Sequence, residues 1–236
     1  MDAIIGGTGT ENLIENFEPK KLITGFGEVD AYISDNLVFI PRHKASHRIP
    51  PDRINYKAEL ACLEQLKVSR IIGLYAVGSI NDKILPGNWG IIDDFIDFSG
   101  RNLTFHVENV VHTDFSQPLD KELTDKIYQI GMESNLKPQC KSCTYIQTNG
   151  PRLETPKEIS FFKTIGADVV GMTAASEIIL AGELGIKMAA IAFSINPASG
   201  VSFEDKKTQN ITFLNNEKQN ELVENLYDII IKVFKD

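Results

Sequence analysis

The segment GPRLETPKEISFFKTIGADVVGMTAASE, from Gly150 to Glu177, contains the pattern that decides the fold. Its TPKE sequence is a capping box with proline at the first helical position, which predicts a helix from Pro156 to about Ile165. A short apolar run then predicts a strand over 168–170, and the residues from Ala175 to Leu184 predict a second helix. A helix, a strand and a helix in succession are typical of α/β folds.

The same alternation of short apolar runs and amphipathic stretches continues on both sides of this segment. We predict strands at 3–5, 37–40, 70–77, 89–95, 143–148 and 188–195, and helices at 54–66, 121–133 and 222–234. No repeat, low-complexity tract or Pro/Gly/Ser-rich linker divides the 236 residues, and their 42% hydrophobic content can bury a sizeable core. We therefore expect one α/β domain over residues 1–236.

The charge and the first residues of the chain argue against two classes of partner. A net charge of −8 disfavours general binding to nucleic acid or to anionic membranes. The N-terminal residues show no basic region followed by an apolar stretch, and no apolar run approaches the roughly 20 residues of a membrane span. We expect a cytoplasmic protein that attracts any anionic ligand through a local cluster of donors.

Cysteine and histidine spacing does not indicate a metal site. Cys62, Cys140 and Cys143 are too few for a disulfide scaffold. The last two have the spacing of a redox pair or half a zinc site, but no second Cys or His pair at finger spacing follows, so we interpret the cysteines as structural or incidental. His43 and His47 are spaced like helical metal ligands, yet they lie in a proline-bounded loop without an acidic partner.

Two polar stretches are candidates for binding an anion. GGTG at Gly6–Gly9 follows a predicted strand, where glycines let the backbone approach a ligand and Thr8 offers a hydroxyl; an ordinary tight turn explains it equally well. PRHKASHR at 41–48 offers the planar fork of Arg42 and the ring of His43, a combination suited to phosphate. The alternative for this second stretch is a solvated basic loop.

Two further strand ends carry polar groups. GMT at 171–173 precedes a predicted helix, so Thr173 caps that helix, binds an anion together with its first N–H groups, or does both. Asn196 ends a buried strand with an amide that donates and accepts hydrogen bonds, although Asn-Pro is also a common start of a turn. Because ligands of α/β sheets bind where strands end, we expect these residues to line one pocket.

Seven ordered motifs resemble those of the nucleoside phosphorylases that act on purines as trimers, in particular the branch of methylthioadenosine phosphorylases and purine nucleoside phosphorylases. The motifs are IIGGTG (4–9), PRHKASHRIPPDRINYKAEL (41–60), AVGSI (76–80), DDFIDFSGRNLTF (93–105), VVHTDFSQPLD (110–120), the segment at 150–177, and NPASG (196–200). The resemblance implies a single α/β domain with a mixed, barrel-like central sheet flanked by helices and assembly into a homotrimer or a dimer of trimers. It also implies inorganic phosphate as co-substrate and no metal or organic cofactor.

Carried over to this sequence, the resemblance also implies the residues of the site. Those placed around phosphate are Thr8, Arg42, His43, Thr173 and the backbone near Ala76. Met172 would lie against the ribose, and His112 would reach into the pocket of a neighbouring subunit near the 5′ end of the sugar. Leu153 stands where an aromatic residue is expected to pack on the base, and Tyr75 stands where a small hydroxyl residue is common.

The two positions that would contact the base edge favour a 6-oxopurine. A 6-oxopurine presents an N1–H donor and an O6 acceptor, whereas adenine presents an N1 acceptor and a 6-amino donor. Glu154 offers a carboxylate, which only accepts, and Asn196 offers an amide that can donate to N7 or O6. The resemblance implies a small hydroxyl residue and an aspartate at these positions in adenine-specific members. We therefore predict Glu154 and Asn196 as catalytic residues acting on 6-oxopurine nucleosides.

The group at the 5′ carbon is harder to predict. A methylthio group needs an apolar pocket, and a hydroxyl needs a polar partner. The segment expected to line that pocket, 201–214, offers Phe203, Ile211 and Phe213 beside Asp205 and Thr208. The short chain and its GPRLET sequence resemble the methylthioinosine-cleaving members, so we rank S-methyl-5′-thioinosine first, inosine or guanosine second and S-methyl-5′-thioadenosine third. A nucleoside- or phosphate-binding protein without turnover is the alternative from another class.

Overall fold

Nine β-strands form one sheet in the computed structural model, which describes residues 1–15, 17–44, 48–203 and 211–235. In chain order the strands are β1 Asp2–Gly6, β2 Glu18–Thr24, β3 Gly27–Ser34, β4 Leu37–Pro41, β5 Arg70–Ser79, β6 Trp89–Asp97, β7 Cys140–Gln147, β8 Val169–Gly171 and β9 Lys187–Pro197. Their order across the sheet is β2-β3-β4-β1-β5-β8-β7-β6-β9, and β9 also pairs with β5. The strands from β5 to β9 therefore close into the expected mixed, barrel-like sheet, and the other four extend it.

The carboxyl ends of three parallel strands meet at one edge of this sheet. β1 runs parallel to β5, and β5 runs parallel to β9 from the pair Arg70 and Lys187 to the pair Ser79 and Pro197. The apolar run of β1 is buried throughout, as is typical of a parallel strand inside a sheet. The residues that end or follow β1, β5 and β9 are consequently neighbours, although they are far apart in sequence.

Two pairs of helices cover the two faces of the sheet. Helices α1 Tyr56–Gln65 and α4 Ala174–Glu183 pack together on one side, and α2 Lys121–Glu133 and α5 Asn216–Lys235 pack together on the other. Each pair buries its own apolar core against the strands. The remaining helix, α3 Pro156–Thr164, follows the loop after β7. Both faces of the sheet are thus covered, and the polar loops at the edge stay accessible to a ligand.

The structure confirms each predicted strand and helix and moves several of their ends. β5 was expected to end at Val77, before Gly78, but it continues to Ser79 through an irregularity between Val77 and Gly78 in its pairing with β9. Helix α5 begins at Asn216, well before the predicted start at Leu222. The prediction missed its first residues because they are polar and lie outside the apolar stripe. Apolar periodicity therefore locates the elements better than it locates their ends.

The hairpin of β2 and β3 was not predicted. β2 is mostly exposed at the edge of the sheet and carries Glu18, Lys20 and Lys21, so no apolar alternation marks it as a strand. It pairs antiparallel with β3, from Glu18 opposite Ile33 to Thr24 opposite Gly27. Charged side chains on such an edge strand oppose pairing with another chain, which explains why the strand carries so few apolar residues.

The predicted capping box at the start of α3 is present. Thr155 Oγ1 accepts from the Glu158 N–H at 3.2 Å, and Glu158 Oε2 accepts from the Thr155 N–H at 2.7 Å. We expect Thr155→Ala to lower the free energy of unfolding by about 1 kcal/mol, because the Glu158 N–H loses its side-chain acceptor at the helix start. Urea denaturation measures this loss. Thr164→Ala, at the other end of α3, is the matched control, and equal losses in the two variants would contradict the prediction.

Candidate active site

A cavity of about 230 Å³ opens at the edge where the strand ends meet. Nine of the residues predicted for the site line it, namely Thr8, Arg42, His43, Ala76, Leu153, Glu154, Met172, Thr173 and Asn196. These residues come from the ends of β1, β4, β8 and β9, from within β5, and from the loop before α3. The expectation of one shared pocket is therefore confirmed, and the glycine-rich turn at Gly6–Gly9 contributes Thr8 to its lining.

Some predicted residues lie elsewhere. His112 is exposed in the loop between β6 and α2 and does not line the cavity, so its expected role in a neighbouring subunit stays a prediction. His47, Asp205 and Thr208 lie outside the described residues. Of the apolar residues proposed for the 5′ pocket, Ile211 and Phe213 line the cavity. Phe203 is not part of its lining.

The glycine-rich turn brings its backbone against the Arg42 side chain. A Cβ atom on Gly7 would lie 2.5 Å from Arg42 Nη1, so a larger residue could not occupy this position without displacing the guanidinium. The Arg42 N–H donates to the Gly6 carbonyl at 2.8 Å, which ties the two loops together. Gly9 has a φ of 82°, which favours glycine. The turn is therefore shaped by the arginine beside it as well as by its own chain reversal.

Arg42 is buried in an ion pair that sequence analysis did not predict. Its Nε donates to Glu177 Oε1, and its Nη2 donates to Glu177 Oε2 at 3.0 Å. Tyr75, which is buried in β5, donates its hydroxyl to the same Oε2 at 2.6 Å, and the guanidinium stacks 4.6 Å from the Tyr75 ring centre. One planar edge of Arg42 is thus fixed by Glu177. Nη1 donates one N–H to the Leu74 carbonyl at 3.2 Å. Because a guanidinium has five N–H groups, one on Nη1 and one on Nη2 are left for an anion.

This network changes the pKa values of its members. Burial alone would lower the pKa of the Arg42 guanidinium, but the charge and hydrogen bonds of Glu177 raise it above its ordinary value. Burial and the neighbouring Glu177 carboxylate raise the pKa of the Tyr75 hydroxyl well above its usual range. Arg42 therefore stays cationic, and the Tyr75 hydroxyl stays a hydrogen-bond donor. Glu177 balances the charge of the arginine before any ligand binds.

His43 adds a ring to the same end of the cavity. Its Nδ1 lies 2.7 Å from the Ile49 carbonyl oxygen, and because a carbonyl only accepts, Nδ1 carries a hydrogen. The ring edge with Nε2 lies near Gly7, where a Cβ atom would be 3.4 Å from Nε2. The Ile49 carbonyl thus orients the ring so that Nε2 lies on the side of the glycine-rich turn.

The start of α4 contributes less to anion binding than the sequence predicted. Thr173 does not cap the helix with its side chain. Instead the Tyr145 hydroxyl accepts from the N–H groups of Thr173 and Ala174 at 3.1 and 3.4 Å, and Gln147 accepts from the Ser176 N–H at 3.0 Å. Burial raises the pKa of Tyr145 to about 12, so its hydroxyl stays neutral. Two side chains of β7 therefore accept hydrogen bonds from N–H groups that were expected to bind an anion. Thr173 itself lines the cavity.

Glu154 and Asn196 are both nearly buried and line the same cavity. Thr148 donates its hydroxyl to Glu154 Oε1 at 2.5 Å. The Asn196 amide donates from Nδ2 to the Pro197 carbonyl at 2.7 Å, which fixes the orientation of the amide and leaves a second Nδ2–H for a ligand. The cavity therefore combines an oriented carboxylate acceptor with an oriented amide donor. Leu153, almost half exposed, adds an apolar wall beside them.

Within the described part of the chain, no group of three or more His, Cys, Asp or Glu side chains is placed to hold a metal ion. The three cysteines are free thiols. No helix among the described residues is both long and apolar enough to span a membrane.

Comparison with known proteins gives matches over nearly the whole chain. The model of the phosphorylase superfamily matches residues 3–235. A probable 6-oxopurine nucleoside phosphorylase of Dictyoglomus turgidum is 42% identical over 210 residues, covering 85% of this chain and 79% of the relative. A probable S-methyl-5′-thioinosine phosphorylase of Methanothermobacter thermautotrophicus is 35% identical over 245 aligned positions, covering 100% of this chain and 84% of the relative. Methylthioadenosine phosphorylase from Schistosoma mansoni shares the fold, with a TM-score of 0.84 at 24% identity over 98% of this chain and 89% of that structure.

Proposed function

Because the chain belongs to the phosphorylase superfamily and is a purine nucleoside phosphorylase, we propose that it cleaves 6-oxopurine nucleosides with inorganic phosphate and prefers S-methyl-5′-thioinosine. The products are then the free base and 5-methylthioribose 1-phosphate. Inosine or guanosine is the second candidate, which the names of several relatives support. S-methyl-5′-thioadenosine is the third.

The observation that carries the base preference is the pair formed by Glu154 and Asn196. Glu154 accepts from Thr148 and, as a carboxylate, has only acceptor sites left for a ligand. Asn196 keeps an N–H for N7 or O6 of the base. A base that donates at N1 and accepts at O6 satisfies both side chains, whereas adenine would leave its N1 lone pair facing a carboxylate oxygen. A site with such hydrogen bonds can reject the mismatched base by up to about four orders of magnitude.

The apolar part of the lining supports a methylthio group at the 5′ carbon. Ile211 and Phe213 line the cavity, and Met172 lies there as well. A methylthio group packs against such side chains without loss, but a 5′-hydroxyl would need a polar partner. Among the described residues of the lining, these side chains favour the methylthio nucleoside over inosine.

The proposed reaction proceeds by positioning and electrostatic stabilisation. Cleavage of the N-glycosidic bond gives the sugar oxocarbenium character while negative charge develops on the departing purine. Asn196 would stabilise that charge through its N–H, and Glu154 would hold the base in place. Phosphate, held by Thr8, Arg42, His43, Thr173 and the backbone near Ala76, would stabilise the sugar cation from the opposite face and then attack it. The step forms a carbon–oxygen bond to phosphate as the carbon–nitrogen bond breaks.

The exposed loop around His112 supports a trimeric assembly with shared sites. Val107, Val110 and Val111 are 75%, 86% and 50% exposed, which makes this loop unusually apolar for a solvent-facing segment. Contact with a second copy would bury these valines and bring His112 towards the neighbouring cavity. The homotrimer, and the dimer of trimers, are proposed on this basis together with the resemblance.

The proposal predicts a ranking of substrates. We expect kcat/KM at saturating phosphate to be at least about 100-fold higher for S-methyl-5′-thioinosine than for S-methyl-5′-thioadenosine, because only the oxo base donates at N1. Inosine and guanosine are assayed in parallel on the same preparation, and the ratio of S-methyl-5′-thioinosine to inosine measures the 5′ preference.

Omitting phosphate is the control for the type of reaction. A phosphorylase releases free base only when phosphate is present, so base release without phosphate would indicate hydrolysis instead. A higher kcat/KM for S-methyl-5′-thioadenosine than for all three oxo nucleosides would contradict the assignment of Glu154 and Asn196.

A further inference from the structure

Thr148 lies behind the residue assigned to the base, outside the lining of the main cavity. It follows Gln147, the last residue of β7, and its N–H donates to the Gly171 carbonyl at 2.9 Å. Its hydroxyl donates to Glu154 Oε1 at 2.5 Å, while the Gly171 carbonyl is farther from that hydroxyl, at 3.5 Å. Thr148 is thus fixed by its backbone to the end of β8, and its one hydroxyl hydrogen is directed at Glu154.

We propose that Thr148 is a positioning residue for base selection, which holds the Glu154 carboxylate as an acceptor for the N1–H of a 6-oxopurine. The inference rests on the proposed function of the same site. With Thr148 bound to Oε1, the second oxygen of Glu154 is the one left for the base. The hydroxyl therefore decides both the direction of the carboxylate and which of its atoms meets the substrate.

Packing alone does not hold Glu154 in place. A second cavity, of about 330 Å³, adjoins the first and is lined by Thr148, Glu154, Phe98 and Phe162 among others. Space on this side would allow the carboxylate to turn away from the base. Arg152 also lines the second cavity, but its guanidinium pairs with Glu158 at 2.7 and 2.9 Å. Among the described residues, Thr148 is therefore the hydrogen-bond partner that restrains Glu154.

The strength of this hydrogen bond depends on the charge of its acceptor. A hydroxyl bond to a carboxylate is about twice as strong as a bond between neutral groups, and its oxygen–oxygen distance is typically 2.5–2.7 Å. Thr148 consequently holds Glu154 as the carboxylate acceptor that an N1–H requires. The effect of removing Thr148 should then depend on whether the base carries an N1–H.

Thr148→Val keeps the shape of the side chain and removes the hydroxyl. We expect it to lower kcat/KM for the 6-oxopurine nucleoside that the enzyme cleaves best by about tenfold, the range of a hydrogen bond to a charged group. Purine riboside, which has neither N1–H nor O6, should change by less than about twofold, and the KM for phosphate should stay the same. Thr148→Ser, which restores the hydroxyl, should recover most of the activity on the oxo nucleoside. Thr164→Val, in the last turn of α3, is the control for replacing a threonine.

Equal losses with the oxo nucleoside and purine riboside would overturn the inference, because they would indicate a general structural effect. No loss with either substrate would overturn it as well. Failure of the proposed function would appear separately, as wild-type protein without phosphate-dependent cleavage. Titration of hypoxanthine would then decide the role of Thr148. Weaker binding to Thr148→Val than to the wild type and Thr148→Ser supports the inference, and equal binding overturns it.

Discussion

Replacing Asn196 by alanine is expected to lower kcat/KM for 6-oxopurine nucleosides roughly 100- to 1,000-fold. Asn196 is almost buried at the end of β9, and one N–H of its amide stays available to the base after the other bonds to the Pro197 carbonyl. Loss of a preorganised donor to a developing negative charge typically costs two to three orders of magnitude in rate. Steady-state kinetics at saturating phosphate measure the effect, which should appear mainly in kcat because the charge develops in the transition state.

Two further variants separate this role from a loss of structure. Asn196→Asp keeps the size of the side chain but places a carboxylate against the negative charge of the leaving base, so it should be at least as impaired on oxo nucleosides as Asn196→Ala. Asn225→Ala, in α5, removes an amide that donates to the Glu221 carbonyl at 2.7 Å and should leave the kinetics unchanged. An Asn196→Ala enzyme within about threefold of the wild type would contradict the assignment of Asn196 to the leaving group.

Several residues of the site could be found from the sequence because they sit at strand ends. A glycine or an Asn-Pro pair after an apolar run marks the end of a strand in the sequence, and in an α/β sheet the ends of parallel strands lie at one edge. Thr8, Thr173 and Asn196 were located in this way, and the structure places all three on one cavity. The signals for strand ends locate these residues but do not give the role of each side chain. The expected roles came from the resemblance to a family.

The supporting residues could not be found because their partners are distant in sequence. Glu177 stands in an otherwise apolar stretch of α4, and only the folded chain shows that it meets Arg42 and Tyr75. Tyr145 of β7 is a similar case, since apolar periodicity identifies it as core and does not show that its hydroxyl accepts from N–H groups at the start of α4. A buried acid within an apolar helix was the available signal for Glu177, because such an acid requires a partner.

Glu177→Gln is expected to destabilise the protein by about 3–5 kcal/mol, the cost of removing one partner from a buried ion pair. The glutamine keeps the size of the side chain, but Arg42 loses the charge that balances its own, and the Tyr75 hydroxyl loses an ionic acceptor. For a chain of this length such a loss lowers Tm by roughly 10 °C. Urea denaturation and thermal unfolding at one protein concentration measure the change. Glu122→Gln is the matched control, because Glu122 is 86% exposed and pairs with Lys187 at 3.3 Å, an arrangement that contributes little.

Phosphate should stabilise Glu177→Gln more than it stabilises the wild type. In the wild type the charge of Arg42 is balanced before any ligand binds, whereas in the variant a bound phosphate would supply the missing negative charge to the same guanidinium. The rise in Tm between phosphate-free buffer and saturating phosphate should therefore be larger for the variant, at matched ionic strength with chloride as the control anion. Equal rises would mean that Arg42 does not face the bound anion, and the phosphate end of the cavity would then rest on His43, Thr8 and the glycine-rich turn. A variant as stable as the wild type would instead show that the pair with Glu177 is not needed to hold Arg42 in the core.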